Sequence, residues 1–172
     1  MSPILGIYAS SATPSHIVTG SYESIATVTV GSGGTTSEIN FTSIPSTYTH
    51  LQIRGIQRFT RTASAWGETY LRFNSDTGNN YAFHHMYVAD SSTIYDNDGT
   101  NQSHISTSLI PSDYTTSNAF GTLIIDILDY TNTNKNKTIR CFSGADTNSS
   151  SYSVAFSSGF WNSTSAVTAI NL

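Results

Sequence analysis

Cysteine, charge and helix-forming patterns are all scarce in this chain, and each shortage excludes something. A single cysteine, Cys141, excludes an internal disulfide framework and a cysteine-ligated zinc site. It lies in Thr138-Ile139-Arg140-Cys141-Phe142 and reads as a small strand residue. Charged residues make up only 10% of the chain, well under the roughly 25% of an average globular protein. The seven cations, Arg54, Arg58, Arg61, Arg72, Lys135, Lys137 and Arg140, are scattered, and the formal net charge is -4. A nucleic acid would need a basic stripe, so no nucleic-acid partner is expected. No stretch approaches a membrane span, and the start lacks the basic and apolar regions of a secretory signal, which predicts a protein made in a cytoplasm that stays soluble.

Signatures of chemistry are missing too. There is no Gly-x-Ser-x-Gly elbow and no carboxylate pair that stands apart from turn-forming Asp, so no catalytic residue is assigned and no enzyme is expected. His84-His85 is the one adjacent histidine pair, and neighbours on a strand point to opposite faces, so the two cannot share a metal. Asp96-Asn97-Asp98-Gly99 resembles the middle of a calcium loop without the closing acid, and reads as a plain turn. Gly31-Ser32-Gly33-Gly34 lacks the Lys-Ser/Thr of a phosphate loop and reads as a connection. Neither a metal nor a cofactor is expected.

What the chain has in quantity is Ser, Thr and Asn, which favour strands and turns and disfavour helix interiors. At 172 residues it suits one domain with a proper core. Residues 1–20 read as an N-terminal arm, with Ile4, Leu5, Ile7 and Tyr8 as the apolar contacts it must cover with something. Residues 21–172 read as the domain.

That domain is organised around Ile39 to Arg54. Ile39 and Phe41 alternate with polar neighbours before a turn, and Leu51 and Ile53 after it, so both arms want the same core. Pro45 sets the turn and pushes Ile44 out of the helical region, and Tyr48 is placed to lay its ring on the core edge with its hydroxyl toward backbone or water. Further strands are expected over Tyr22–Val30, Leu51–Phe59, Glu68–Phe73, Tyr81–Val88, His104–Ile110, Thr138–Ser143, Tyr152–Phe156 and Ala166–Leu172. Ala119–Leu128, the most apolar stretch, reads as a central strand covered on both faces, with Asp126 in need of a partner. Ala89–Gln102 reads as a surface loop and Thr131–Lys137 as an exposed hairpin loop. The sum is about eight to ten short antiparallel strands, the pattern of an all-β sandwich or jelly roll. Trp66, Trp161 and the tyrosines read mainly as core and rim; Trp66 and Tyr95 are the outer-loop candidates for stacking on a ligand.

Six segments together resemble small virion proteins of tailed bacteriophages, cyanophages among them: Pro3–Ser11, Tyr22–Ala26, Phe41–Arg54, Leu71–Tyr81, Ile127–Tyr130 and Thr168–Leu172. The resemblance spans nearly the whole chain. It implies a jelly-roll structural protein of the virion, synthesised in the bacterial host. Two roles follow from it. One is a trimeric capsid cement or decoration protein that bridges the major capsid protein, its arm clamping a neighbour. The other is a tail-associated receptor-binding or adaptor protein whose loops, with Trp66 and Tyr95, grip a host-surface glycan.

Overall fold

A computed structural model describes residues 22–31 and 34–172. Among these there is no helix, and ten strands follow in order: β1 (Asn40–Phe41), β2 (Leu51–Gln57), β3 (Trp66–Phe73), β4 (Tyr81–Ala89), β5 (Tyr95–Gln102), β6 (Ile105–Pro111), β7 (Gly121–Ile127), β8 (Lys137–Asp146), β9 (Tyr152–Trp161) and β10 (Ile170–Asn171). They form a four-stranded sheet, β1-β10-β3-β6, and a six-stranded sheet, β2-β7-β8-β9-β4-β5. Every ladder between them is antiparallel. The protein is an all-β sandwich, as the composition and the turn spacing predict.

Period-two alternation builds the core. In β7 Leu123, Ile125 and Ile127 point inward, in β3 Leu71 and Phe73, and in β8 Ile139 and Cys141. Each large buried aliphatic contributes about 2 kcal/mol relative to exposure. The Pro45 corner carries the chain from β1 in one sheet to β2 in the other, and Phe41, Leu51 and Ile53 all pack on the same cluster. Burial pushes the Cys141 thiol up to about 12, with the Asp126 charge adding to it.

β6 shows how the two sheets close. It is an edge strand of its sheet, yet all seven residues are buried, because it lies across β8 and β9 of the other sheet. A covered edge must still satisfy its backbone groups. Side chains do this. Ser157 Oγ donates to the Thr107 carbonyl at 2.9 Å and Ser153 Oγ to the Leu109 carbonyl at 3.4 Å, while Ser143 Oγ accepts from the Leu109 N–H at 3.3 Å. The buried His85 ring donates to the Ser106 carbonyl. Gly159 permits the approach, since a Cβ there would come within 2.5 Å of Ile105 Cγ2. Ser157→Ala should therefore cost about 2 kcal/mol, the desolvation of one buried carbonyl without its donor. Urea unfolding checks this, and an unchanged midpoint would show that the carbonyl finds another partner.

Five expectations need correction. Tyr22–Val30 is not a strand but irregular, exposed chain, because no described segment offers it a ladder of partners. Ala89–Gln102 is not all loop. Residues 95–102 form β5 on the free edge of β4, and its Asp and Asn residues are tolerated because an edge strand faces water. Lys137 is not in an exposed loop; it opens β8 and is 1% exposed. The C-terminal strand shrinks to Ile170–Asn171, wedged between β1 and β3. Finally, among the described residues β7 is covered on one face only: Thr122 and Ile124 stay exposed on the outer face of the six-stranded sheet. Asp126, expected to need a partner, accepts from Gln52 Nε2 at 2.7 Å on that outer face.

Candidate functional site

The cleft with the most chemistry lies between β3 and the β4–β5 hairpin. Alternation along β3 turns Thr69, Leu71 and Phe73 into the core and leaves Trp66, Glu68 and Tyr70 on the opposite side. Tyr87 of β4 and Tyr95 of β5 are direct cross-strand partners whose rings stack with centroids 5.6 Å apart. With Arg61, Ser64, Ala89, Asp90 and Leu109 these residues line a cleft of about 450 Å³. Trp66 and Tyr95, picked out as isolated loop aromatics, thus line one cleft. Neither is in a loop, because each is the first residue of a strand, β3 and β5.

Asp90 organises one wall. It sits in the left-handed region at φ 54° after β4, so its carboxylate turns back over the sheet. One oxygen accepts from Trp66 Nε1 at 2.9 Å and the other from the Tyr152 N–H at 3.1 Å. With its indole N–H satisfied, Trp66 offers a π-face. Glu68 spends one oxygen on Ser106 Oγ at 2.6 Å, and Tyr70 is backed by the His104 ring, 3.9 Å between centroids. Burial, with Arg72 nearby, holds His104 below the usual histidine range, which favours the neutral ring against Tyr70. The ensemble presents aromatic faces, two carboxylates and a guanidinium. That chemistry suits a ligand with an apolar face and a hydroxyl rim.

The corner is held differently from the expectation. Tyr48 does pack on the core edge, but its hydroxyl donates to Glu23 Oε2 at 2.8 Å, and that carboxylate holds the phenol above its usual range. The hydroxyl that reaches the corner backbone belongs to Tyr130, which donates to the exposed Pro45's carbonyl and accepts weakly from the Tyr48 N–H at 3.4 Å. Only its place in Ile127-Leu128-Asp129-Tyr130 singled Tyr130 out. The arm residues Ile4, Leu5, Ile7 and Tyr8 lie outside the described residues.

His84 faces out and His85 in, as adjacent strand residues must. Among the described residues no group of three His, Cys, Asp or Glu side chains converges to hold a metal, and Asp96–Gly99 is paired in β5 against β4. Trp161 belongs to the core, its Nε1 donating to Asp76 Oδ2 at 2.7 Å, a bond that holds the Asp76 carboxyl below its usual range. No helix of the described residues is long and apolar enough to cross a membrane. No family model, no curated protein and no solved structure matches the chain.

Proposed function

We propose that the protein is a structural protein of a tailed-phage virion: a jelly-roll cement or decoration protein that binds the major capsid protein at the capsid surface and acts by contact, without chemistry or cofactor of its own. The strand order carries this reading. An eight-stranded jelly roll places its first, eighth, third and sixth strands in one sheet and its second, seventh, fourth and fifth in the other. The order β1-β10-β3-β6 against β2-β7-β8-β9-β4-β5 has that form if β7, β8 and β9 together take the seventh place. A meander of three antiparallel strands leaves the chain direction unchanged, so the insertion disturbs nothing on either side. The resemblance to phage virion proteins supports the same reading.

A second reading has its own support in the aromatic cleft: a tail-associated receptor-binding or adaptor protein that takes a host-surface glycan between Trp66 and Tyr95. Cryo-electron microscopy of intact particles separates the two. Density for the fold repeated over the icosahedral shell is the expected result. Density confined to the tail would overturn the capsid reading and make the cleft the first place to test for sugar. The resemblance implies a trimer; the surface chemistry described next favours a two-fold pair.

A further inference from the structure

The outer face of the six-stranded sheet is apolar across its middle. Phe156 is 53% exposed, Met86 52%, Phe142 48% and Ile124 40%. Cross-strand register puts Arg54, Ile124, Phe142, Phe156, Met86 and Asp96 in a single row from β2 to β5. The row is nearly a palindrome in chemistry. Its centre is the Phe142–Phe156 pair, with ring centroids 4.8 Å apart. An aliphatic side chain flanks each ring, and the two ends carry opposite charges.

We propose that this face pairs with the same face of a second copy, about a two-fold axis that runs parallel to the strands between β8 and β9. Such an axis sets β8 on the partner's β9, β7 on its β4 and β2 on its β5. Phe142 then meets the partner's Phe156, Ile124 the partner's Met86, and Arg54 the partner's Asp96. The neighbouring rows obey the same operation. Asp126 faces the partner's His84, Arg140 the partner's Ser158, and Gly144 leaves room for the partner's Val154, each position fixed by the same ladders.

Charge selects this axis over its rival. A two-fold axis perpendicular to the strands would lay each strand on its own copy, setting Arg54 on the partner's Arg54 and Asp96 on the partner's Asp96, which like-charge repulsion opposes. The size also suits. Six strands about 4.8 Å apart and about seven residues long give a plan area of ~550 Å², the same order as the ~800 Å² of accessible surface per partner in stable interfaces. The Phe centre supplies the attraction, and the exposed rim charges set the orientation. Ile124, the one apolar side chain on the outer face of β7, is covered in the pair.

The pairing is a property of the purified protein and does not depend on the virion reading. Sedimentation equilibrium of the full chain at neutral pH and low salt should give twice the chain mass. Arg54→Asp and Asp96→Arg, each made alone, convert two attractive pairs into two repulsive ones and should weaken the dimer about tenfold or more. Mixing those two variants should restore it, because both contacts are then opposite in charge; the recovery also shows that each variant is folded. Phe156→Asp should give a monomer with an unchanged circular-dichroism spectrum. A wild-type monomer would overturn the proposal and leave the face to residues 1–21 or to a different protein. A trimer, or single charge variants that pair as well as the wild type, would overturn it equally.

Discussion

Tyr130→Ala should lower the unfolding free energy by about 4 kcal/mol, as for a large aromatic removed from a packed core. Tyr130 is fully buried and follows Asp129, which turns the chain after β7 at a φ of 49°. Three separate segments meet on it. Its hydroxyl donates to the Pro45 carbonyl at the corner, its backbone carbonyl accepts from the Val167 N–H at 2.9 Å, and its ring fills the core beside them. Next to it, Asp129 takes Lys135 Nζ at 2.9 Å and its N–H donates to His50 Nδ1 at 3.0 Å. The alanine variant leaves a ring-sized cavity and frees the corner. Tyr130→Phe keeps the ring and strands the Pro45 carbonyl and the weakly bound Tyr48 N–H, so it should cost about 1–2 kcal/mol. Urea unfolding of both variants separates packing from tethering. Equal losses would mean that the hydroxyl carries the whole effect, and no loss in either would remove Tyr130 as the tie. Tyr48→Ala should cost less than Tyr130→Ala, because Tyr48 is only half-buried and its hydroxyl is spent on Glu23 at the surface.

Lys137→Met comes next, at about 3 kcal/mol. The ammonium is enclosed by three backbone carbonyls: Asn132 at 2.7 Å, Lys135 at 2.9 Å and Thr164 at 3.1 Å. Three donors meet three acceptors, which keeps the group protonated although burial pushes it below the usual lysine range. The cage ties the loop before β8 to the segment after β9. Methionine retains the stem and the volume but satisfies none of the carbonyls. The thermal midpoint should fall by about 6–12 °C, and amide exchange should accelerate at residues 132–136. Lys137→Arg should not rescue it, because a planar fork does not match three converging acceptors. A methionine variant with the wild-type midpoint would show that water replaces the ammonium without loss.

Part of the aromatic cleft could be read from the chain. Trp66 and Tyr95 stand out by residue type alone. Glu68 and Tyr70 follow from Trp66 once β3 is a strand, since residues two and four along share a face. Asp90, Tyr87 and Arg61 could not be foreseen, because they come from other segments that only the pairing of β4 with β5 and the fold of the 61–64 connection bring close. The outer face left a stronger trace. Ala119–Leu128 is the most apolar stretch, which predicts two covered faces; the described residues cover only one of them.

What the sequence determined by itself was the local alternation. The inward sets Leu71 and Phe73, Leu123, Ile125 and Ile127, and Ile139 and Cys141 are legible because a strand turns successive side chains to opposite faces whatever its neighbours are. Turn chemistry at Pro45 and over Asn74–Asn80 is legible for the same reason, since it depends on a few adjacent residues. Whatever rested on a distant partner was left to the tertiary structure. It made polar Tyr95–Gln102 a strand because β4 had a free edge, and it left Tyr22–Val30 irregular because no described strand pairs with it. It buried β6 under serine hydroxyls and Lys137 in a carbonyl cage because hydrogen bonds can be closed by groups far apart in the chain, and no local pattern records which groups those will be.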